Sequence, residues 1–222
     1  MPIDVYWGSG SPYAWRVLLA LEYKGLPYTS HLLQFSKQEH KSPQMLAMNF
    51  RGRVPVLKDG EYVVFESVAI LYYLDRKYPD PPLFGRTPEE AGVIMRVICE
   101  YQAYAEPHVM KIARAFFTTQ PQPIRPDELA DAVQGIASEA RSIEGRLAHS
   151  DWVVGETLSA ADLVIYPSLQ LLLRTLKRRT AAELSSRFLP LEVQYPALAR
   201  WAARMEALPG YEKTYPPHWL EK

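Results

Sequence analysis

Residues 53–67, RVPVLKDGEYVVFES, contain the clearest structural pattern in the first part of the chain. Two short runs rich in β-branched and aromatic residues flank Asp59–Gly60, a pair typical of a hairpin turn. Pro55 opens the first run, a position that a strand tolerates although proline cannot donate to the ladder. Ser67 precedes a periodic apolar segment, so we expect it to cap a helix. The stretch therefore predicts a hairpin that leads into a helix.

The residues before this hairpin predict a strand, a helix, a second strand and a short helix. Ser11 followed by Pro12 is the pattern of a helix start. A strand–helix–strand sequence calls for a right-handed crossover, which with the hairpin gives a small mixed sheet covered by helices. The predicted strands are 3–7, 27–35, 53–57 and 58–65, and the predicted helices are 12–25, 42–49 and 67–78.

After residue 78 the composition changes. Residues 79–88, PDPPLFGRTP, are rich in proline and typical of a linker. Beyond them apolar residues recur at helical spacing, and Ser159-Ala-Ala-Asp162 has the form of a capping box. The chain is therefore predicted to be an α/β domain joined to an all-α domain. The helices predicted in the second part are 88–118 with a kink at Pro107, 127–148, 158–176, 180–188 and 195–207.

The amino-acid composition excludes several classes of function. The 222 residues include 25 Lys plus Arg and 25 Asp plus Glu, so the net charge is zero. A neutral chain gives no electrostatic reason to expect nucleic acid or an acidic membrane as partner. One cysteine, Cys99, excludes an internal disulfide and a cysteine-based zinc site, and its place in an apolar helix predicts burial. The chain has no signal-peptide pattern and no apolar run of 18 residues, so we expect a cytoplasmic protein without a membrane span.

Ser11 is the first candidate for chemistry. As a cap it would only satisfy a backbone N–H group of the first helix. With a ligand present, its hydroxyl and the first free amides of the helix would form a pocket of positive potential. A thiolate in that pocket would be stabilised relative to its thiol, whose ordinary pKa is about 8.5.

Three further features fit parts of one ligand. Glu66 and Ser67 could hold an ammonium and a carboxylate of an amino-acid head group. If the Val54–Pro55 bond were cis, the backbone of Val54 could pair with an extended peptide. His40–Lys41 is either a solvated charged stretch or a clamp for a terminal carboxylate. A ligand with an amino-acid head, a peptide middle, a thiol and a far carboxylate matches glutathione.

The segment from His40 to Pro79 resembles the glutathione-binding half of cytosolic glutathione transferases. The family strings HK-x-P, N-P-x-G-x-V-P-x-L and E-S correspond to HKSP at 40–43, NFRGRVPVL at 49–57 and ES at 66–67. The resemblance is greatest to the serine-type phi class, with zeta, tau and bacterial enzymes close to it. The SAAD box extends the likeness into the second half of the chain.

The resemblance implies a thioredoxin-like glutathione-binding domain over 1–79, a linker over 80–87 and an all-helical domain over 88–222. It implies that the Ser11 hydroxyl binds the glutathione sulfur, with Ser9 as the alternative. Phe50 departs from the usual proline, and Arg53 stands where the phi class tends to have glutamine. The residues implied to hold the remainder of glutathione are His40, Lys41, Arg53, Val54, Pro55 with a cis bond, Glu66 and Ser67.

Glutathione would be a co-substrate, with no metal, and its thiolate would attack a small hydrophobic electrophile. Isomerisation, dehalogenation and peroxide reduction stay open, as does a non-catalytic glutathione-binding or protein-interaction module. A thioredoxin-type oxidoreductase is disfavoured because the chain has no C-x-x-C pair. The resemblance also implies a homodimer, supported loosely by the aromatic residues Tyr72, Tyr73 and Tyr101. Candidates to line the electrophile pocket between the domains are Tyr13, Phe35, Tyr104 and His108.

Overall fold

A computed structural model describes residues 3–117, 121–178 and 182–220, without the side chains of 182 and 183. The chain divides into two compact units. One contains Met1–Phe84 together with Leu208–Lys222, and the other contains Gly85–Ala207. None of the described helices combines the length and the apolar character that a membrane-spanning segment needs.

In the described part of the first unit, four strands form one mixed sheet in the order β2-β1-β3-β4. The first two strands are parallel, and the other two pairings are antiparallel. Val5, Val56 and Leu57 are fully buried where the sheet meets its helices. The elements are β1 (Ile3–Trp7), α1 (Pro12–Tyr23), β2 (Tyr28–Leu32), α2 (Pro43–Met48), β3 (Val56–Asp59), β4 (Tyr62–Phe65) and α3 (Ser67–Lys77).

Two local predictions for this unit need correction. The hairpin turn lies at Gly60–Glu61 and not at Asp59–Gly60, because Asp59 is still paired with Tyr62 in the ladder. Helix α3 begins after Glu66, which is its N-cap residue, so Ser67 is the first helical residue and not the cap. The predicted order of strands and helices is otherwise confirmed, with β2 shorter than the predicted strand 27–35.

Part of the predicted linker folds onto the first unit. The buried Lys24 donates to the carbonyl oxygens of Tyr78 and Pro81, and Asp75 accepts from the backbone N–H of Leu83. Leu83 is fully buried as a result. The proline-rich segment is therefore fixed by buried polar contacts, which its composition alone does not indicate.

The described residues of the second unit form helices and loops, with no strand among them. The predicted kinked helix is two helices, because α4 ends at Tyr104 and α5 begins at Glu106 with Pro107 in its first turn, where a missing N–H is tolerated. Cys99 is exposed and not buried, since it lies one residue, or about 100° around the helix, from buried Ile98. The helices of this unit are α4 (Pro88–Tyr104), α5 (Glu106–Phe116), α6 (Pro126–Leu147), α7 (Ala160–Leu176), α8 (Ala182–Ser185), α9 (Leu191–Gln194) and α10 (Pro196–Glu206).

Helix α7 is the buried centre of the second unit. The predicted capping box is present: Asp162 accepts from both the backbone N–H and the hydroxyl of Ser159 at 2.9 Å. The same carboxylate accepts from the Val153 N–H and from the Trp201 indole. This carboxylate therefore joins the start of α7, the preceding loop and α10.

The C-terminal segment belongs to the first unit, whereas the predicted helical domain, 88–222, included it. It contains α11 (Tyr211–Thr214) and a single 3-10 turn, Pro217–Trp219. The indole of Trp15 in α1 donates to the Thr214 hydroxyl at 2.8 Å and packs edge-on against Trp219. The predicted helix 180–188 begins outside the described residues, and α8 covers only part of it.

Candidate active site

The loop between β1 and α1 presents Ser11 at the start of a helix. The Ser11 backbone N–H donates to the Gly8 carbonyl at 3.1 Å, and its side-chain oxygen accepts from the Ala14 N–H at 3.3 Å. Pro12 follows as the first helical residue, as predicted. Within the described residues this is the only side-chain hydrogen bond of Ser11, so its hydroxyl proton is available to a ligand.

Ser9, the alternative sulfur contact, is already engaged. Its hydroxyl oxygen lies 2.5 Å from Nδ1 of His218, in the C-terminal 3-10 turn. No local sequence pattern links His218 to Ser9, because 209 residues separate the two along the chain. The two serines of the loop therefore have different hydrogen-bonding environments.

A cleft in the first unit brings together many of the predicted glutathione contacts. Its volume is about 1130 Å³ including its open mouth, which is ample for a tripeptide. The Val54–Pro55 peptide bond within it is cis. The lining residues are Tyr13, Asn49, Phe50, Arg51, Arg53, Val54, Pro55, Glu66 and Ser67.

The start of α3 forms one side of this cleft. Glu66 is exposed and has φ +69° and ψ 113°, a conformation that a residue with a side chain rarely adopts. Ser67 is 6% exposed, and its hydroxyl accepts from Nη1 of the fully buried Arg16 at 3.2 Å. The Arg16 guanidinium also lies 4.8 Å from the centre of the Tyr13 ring. Arg16 was missed from the sequence because an arginine on an amphipathic helix is ordinarily a surface residue.

The turn before Val54 is organised by Asn49, which begins the NFRGRVPVL string but for which the sequence predicted no separate role. Asn49 is buried, donates to the Arg53 carbonyl at 2.9 Å and accepts from the Arg51 N–H at 3.1 Å. Gly52 adopts φ +57°, and a Cβ there would approach the His40 carbonyl and the Lys41 side chain. The predicted pair His40–Lys41 is thus adjacent to the turn that carries Arg53 and Val54.

The protonation state of His40 is set by its burial and by its neighbour Lys41. Burial, and secondarily the Lys41 ammonium, lower the pKa of His40, so the imidazole is neutral at pH 7. Its ring packs edge-on against Phe35 at 5.2 Å between centroids. Phe35 in turn covers Gly8, where a Cβ would lie only 2.1 Å from the ring. These contacts connect the loop of Ser11 with the turn at Gly52.

The remaining predicted pocket residues lie on the helical unit. Tyr104 is 62% exposed at the end of α4. His108 in α5 packs on Gly135 of α6, where an added Cβ would lie 2.5 Å from the imidazole. Tyr101, one of the aromatic residues considered for a dimer contact, is buried within this unit, whereas Tyr72 is half exposed.

A mixed sheet of order β2-β1-β3-β4 with a cis proline before β3, followed by a helical unit, defines a two-domain protein of the thioredoxin-like class. Family models agree with this architecture. Residues 1–76 match "Glutathione S-transferase, N-terminal domain", and residues 105–209 match "Glutathione S-transferase, C-terminal domain". The chain belongs to the glutathione S-transferase family, a family of enzymes.

Individual relatives extend over nearly the whole chain. Glutathione S-transferase A of Pleuronectes platessa is 30% identical, over 99% of this chain and 93% of its own length. Maleylacetoacetate isomerase of Pseudomonas aeruginosa is also 30% identical, over 97% of this chain and 96% of its own length. The crystal structure of a glutathione S-transferase from the Antarctic clam Laternula elliptica superposes with a TM-score of 0.81 at 31% identity, over 100% of this chain and 95% of that one.

Proposed function

We propose that this protein binds glutathione in the cleft of its first unit and transfers the glutathione thiolate to a small hydrophobic electrophile. The observation that carries the proposal is Ser11, whose oxygen caps α1 while its hydroxyl proton stays available. A hydroxyl that donates to sulfur, beside the positive end of a helix, favours the thiolate over the thiol.

The cleft and the adjacent residues His40 and Lys41 would supply contacts for the other parts of the tripeptide. Glu66 would bind the α-ammonium of the γ-glutamyl residue, and the N-terminus of α3 at Ser67 would bind its carboxylate. The backbone of Val54, next to Pro55, would pair with the cysteinyl residue. Because His40 is neutral at pH 7, Lys41 and Arg53 would carry the positive charge that binds the glycyl carboxylate.

In the proposed reaction the sulfur anion forms a bond to an electrophilic carbon, and the leaving group departs with the electron pair of the broken bond. Serine is not the nucleophile, so its task is to stabilise and orient the thiolate. Tyr13 and Phe35 of the first unit, and Tyr104 and His108 of the helical unit, stay predicted contacts of the electrophile. A homodimer likewise stays a prediction.

The test compares Ser11→Ala with a matched cap variant, Thr87→Ala. Thr87 also precedes a proline and accepts from a first-turn N–H, that of Glu90, at 3.2 Å. Both variants should lose about 1 kcal/mol of stability. Only Ser11→Ala should lose the ultraviolet absorbance of the bound thiolate at neutral pH and slow the conjugation of an activated aromatic chloride about 10- to 100-fold. Equal activity in the two variants would contradict the role of Ser11.

Glutathione-dependent isomerisation is a second candidate, because the isomerase relative aligns with 97% of this chain. In that reaction the thiolate would add to a conjugated double bond, rotation would follow, and elimination would return the thiolate unchanged. The two reactions differ in stoichiometry. An isomerase converts a cis-enone diacid with no loss of free thiol, whereas conjugation consumes one thiol for each product formed.

A further inference from the structure

The C-terminal turn holds an imidazole against the loop that carries Ser11. Three aromatic residues of the C-terminal segment, Tyr211, Tyr215 and Trp219, pack around Trp15 of α1 with centroid distances of 5.6–6.0 Å. The Trp15 indole also donates to Thr214. These buried contacts fix the turn in position, while His218 itself is exposed.

His218 makes two close approaches to the loop. Its Nδ1 lies 2.5 Å from the Ser9 hydroxyl oxygen. Its Cε1 would lie 2.7 Å from a Cβ placed on Gly10, and Gly10 itself adopts φ +80°. Glycine is therefore required at this position both for the backbone conformation and for the space that the imidazole occupies.

We propose that Ser9 and His218 form a proton relay that accepts the thiol proton of glutathione, while Ser11 serves as the hydrogen-bond donor to the resulting thiolate. The S–H bond breaks and its proton passes to the Ser9 oxygen. The Ser9 O–H bond breaks in the same step, and its proton passes to Nδ1 of His218. The products are a thiolate, an intact serine and an imidazolium, which returns its proton to water from its exposed position.

The donor and acceptor roles of the two serine hydroxyls support these separate assignments. When the Ser9 hydroxyl donates to Nδ1, its oxygen keeps a lone pair that can accept from a thiol. The Ser11 oxygen already accepts a hydrogen bond from the Ala14 N–H, so the hydroxyl proton is the part of Ser11 that can donate to the sulfur. An imidazole can take up and release a proton at physiological pH, which a serine alone cannot do.

This inference rests on the proposed function, because it concerns the same bound thiol. The test measures the rate of thiolate formation by stopped-flow absorbance, and proton release with an indicator dye, after mixing with glutathione. His218→Asn places an amide oxygen where Nδ1 lies, so it can accept from Ser9 without taking up a proton. We expect His218→Asn and Ser9→Ala to slow thiolate formation about 10- to 100-fold, with glutathione affinity within about twofold.

Two controls separate a relay from a structural role. Free imidazole in the buffer should restore the rate of His218→Asn, and His149→Asn, at an exposed histidine of the helical unit, should behave as the wild type. Wild-type rates in both His218→Asn and Ser9→Ala would overturn the relay and leave the role of Ser11 intact. Absence of any thiolate signal in the wild-type protein would overturn the proposed function itself.

Discussion

Arg16 and Ser67 join the first helix to the start of the third through one buried hydrogen bond. The Nη1 atom of Arg16 lies 3.2 Å from the Ser67 hydroxyl oxygen, and the arginine has no exposed surface. A guanidinium keeps its charge in proteins even when it is buried. It therefore adds positive potential behind the helix end at which we propose that the γ-glutamyl carboxylate binds.

Replacement of Arg16 by glutamine should weaken glutathione binding about 5- to 20-fold, since a charged partner near the carboxylate is lost. Titration calorimetry measures the effect directly. The analogue that lacks the γ-glutamyl α-carboxylate should lose little affinity in the same variant. If both ligands lost affinity equally, Arg16 would act on the fold of the cleft and not on the carboxylate.

The backbone of Glu66 predicts opposite effects on stability and binding. With φ at +69°, Glu66→Gly should relieve strain and stabilise the protein by about 1 kcal/mol, or roughly 2–4 °C in Tm. Glu66→Gln keeps the strain and removes only the charge. Both variants should bind glutathione more weakly, because the carboxylate for its ammonium is lost. Scanning calorimetry distinguishes the two variants, and a Tm gain in Glu66→Gln would refute the strain argument.

The lowered pKa of His40 predicts a dependence of stability on pH. In the unfolded chain His40 takes up a proton near pH 6.5, whereas the folded protein resists protonation until a lower pH. Stability therefore falls as pH decreases below about 6.5. His40→Gln should flatten this fall between roughly pH 6.5 and 5, as measured by urea unfolding at each pH. An unchanged slope would show that His40 titrates alike in both states.

The buried carboxylate of Asp162 should contribute strongly to the stability of the helical unit. Asp162→Ala removes the acceptor of the Val153, Ser159 and Trp201 donors, and each buried unsatisfied donor costs about 1–3 kcal/mol. We expect a loss of at least 3 kcal/mol in urea unfolding. Asp131→Ala, at an exposed aspartate of α6, serves as the control and should change stability by less than about 0.5 kcal/mol.

Local sequence patterns were sufficient to predict most of the helices and strands near the cleft. Ser11–Pro12 and Ser42–Pro43 each start a helix, and each serine oxygen accepts a first-turn N–H at 3.3 Å. These caps involve residues three positions apart, so a short segment contains the whole interaction. The errors were equally local: Glu66 and not Ser67 caps α3, and α4 and α5 are separate helices.

Contacts between residues far apart in the chain could not be predicted from local sequence patterns. Arg16 is buried although its residue type is usually exposed, and its partner Ser67 lies 51 residues away. Packing of α1 against α3 and against the C-terminal segment decides these contacts, and a single sequence does not record them.

Local sequence patterns are enough to predict an α/β half and a helical half, a helix that starts at Ser11, and the strings of a glutathione-binding domain in residues 40–67. Those features depend on neighbouring residues, whose spacing is fixed by helix and strand geometry. Only the tertiary structure brought His218 to Ser9 and the C-terminal segment to Trp15. Such pairs form because burial of aromatic surface brings together parts of the chain about 200 residues apart, and that choice depends on the packing of the whole unit.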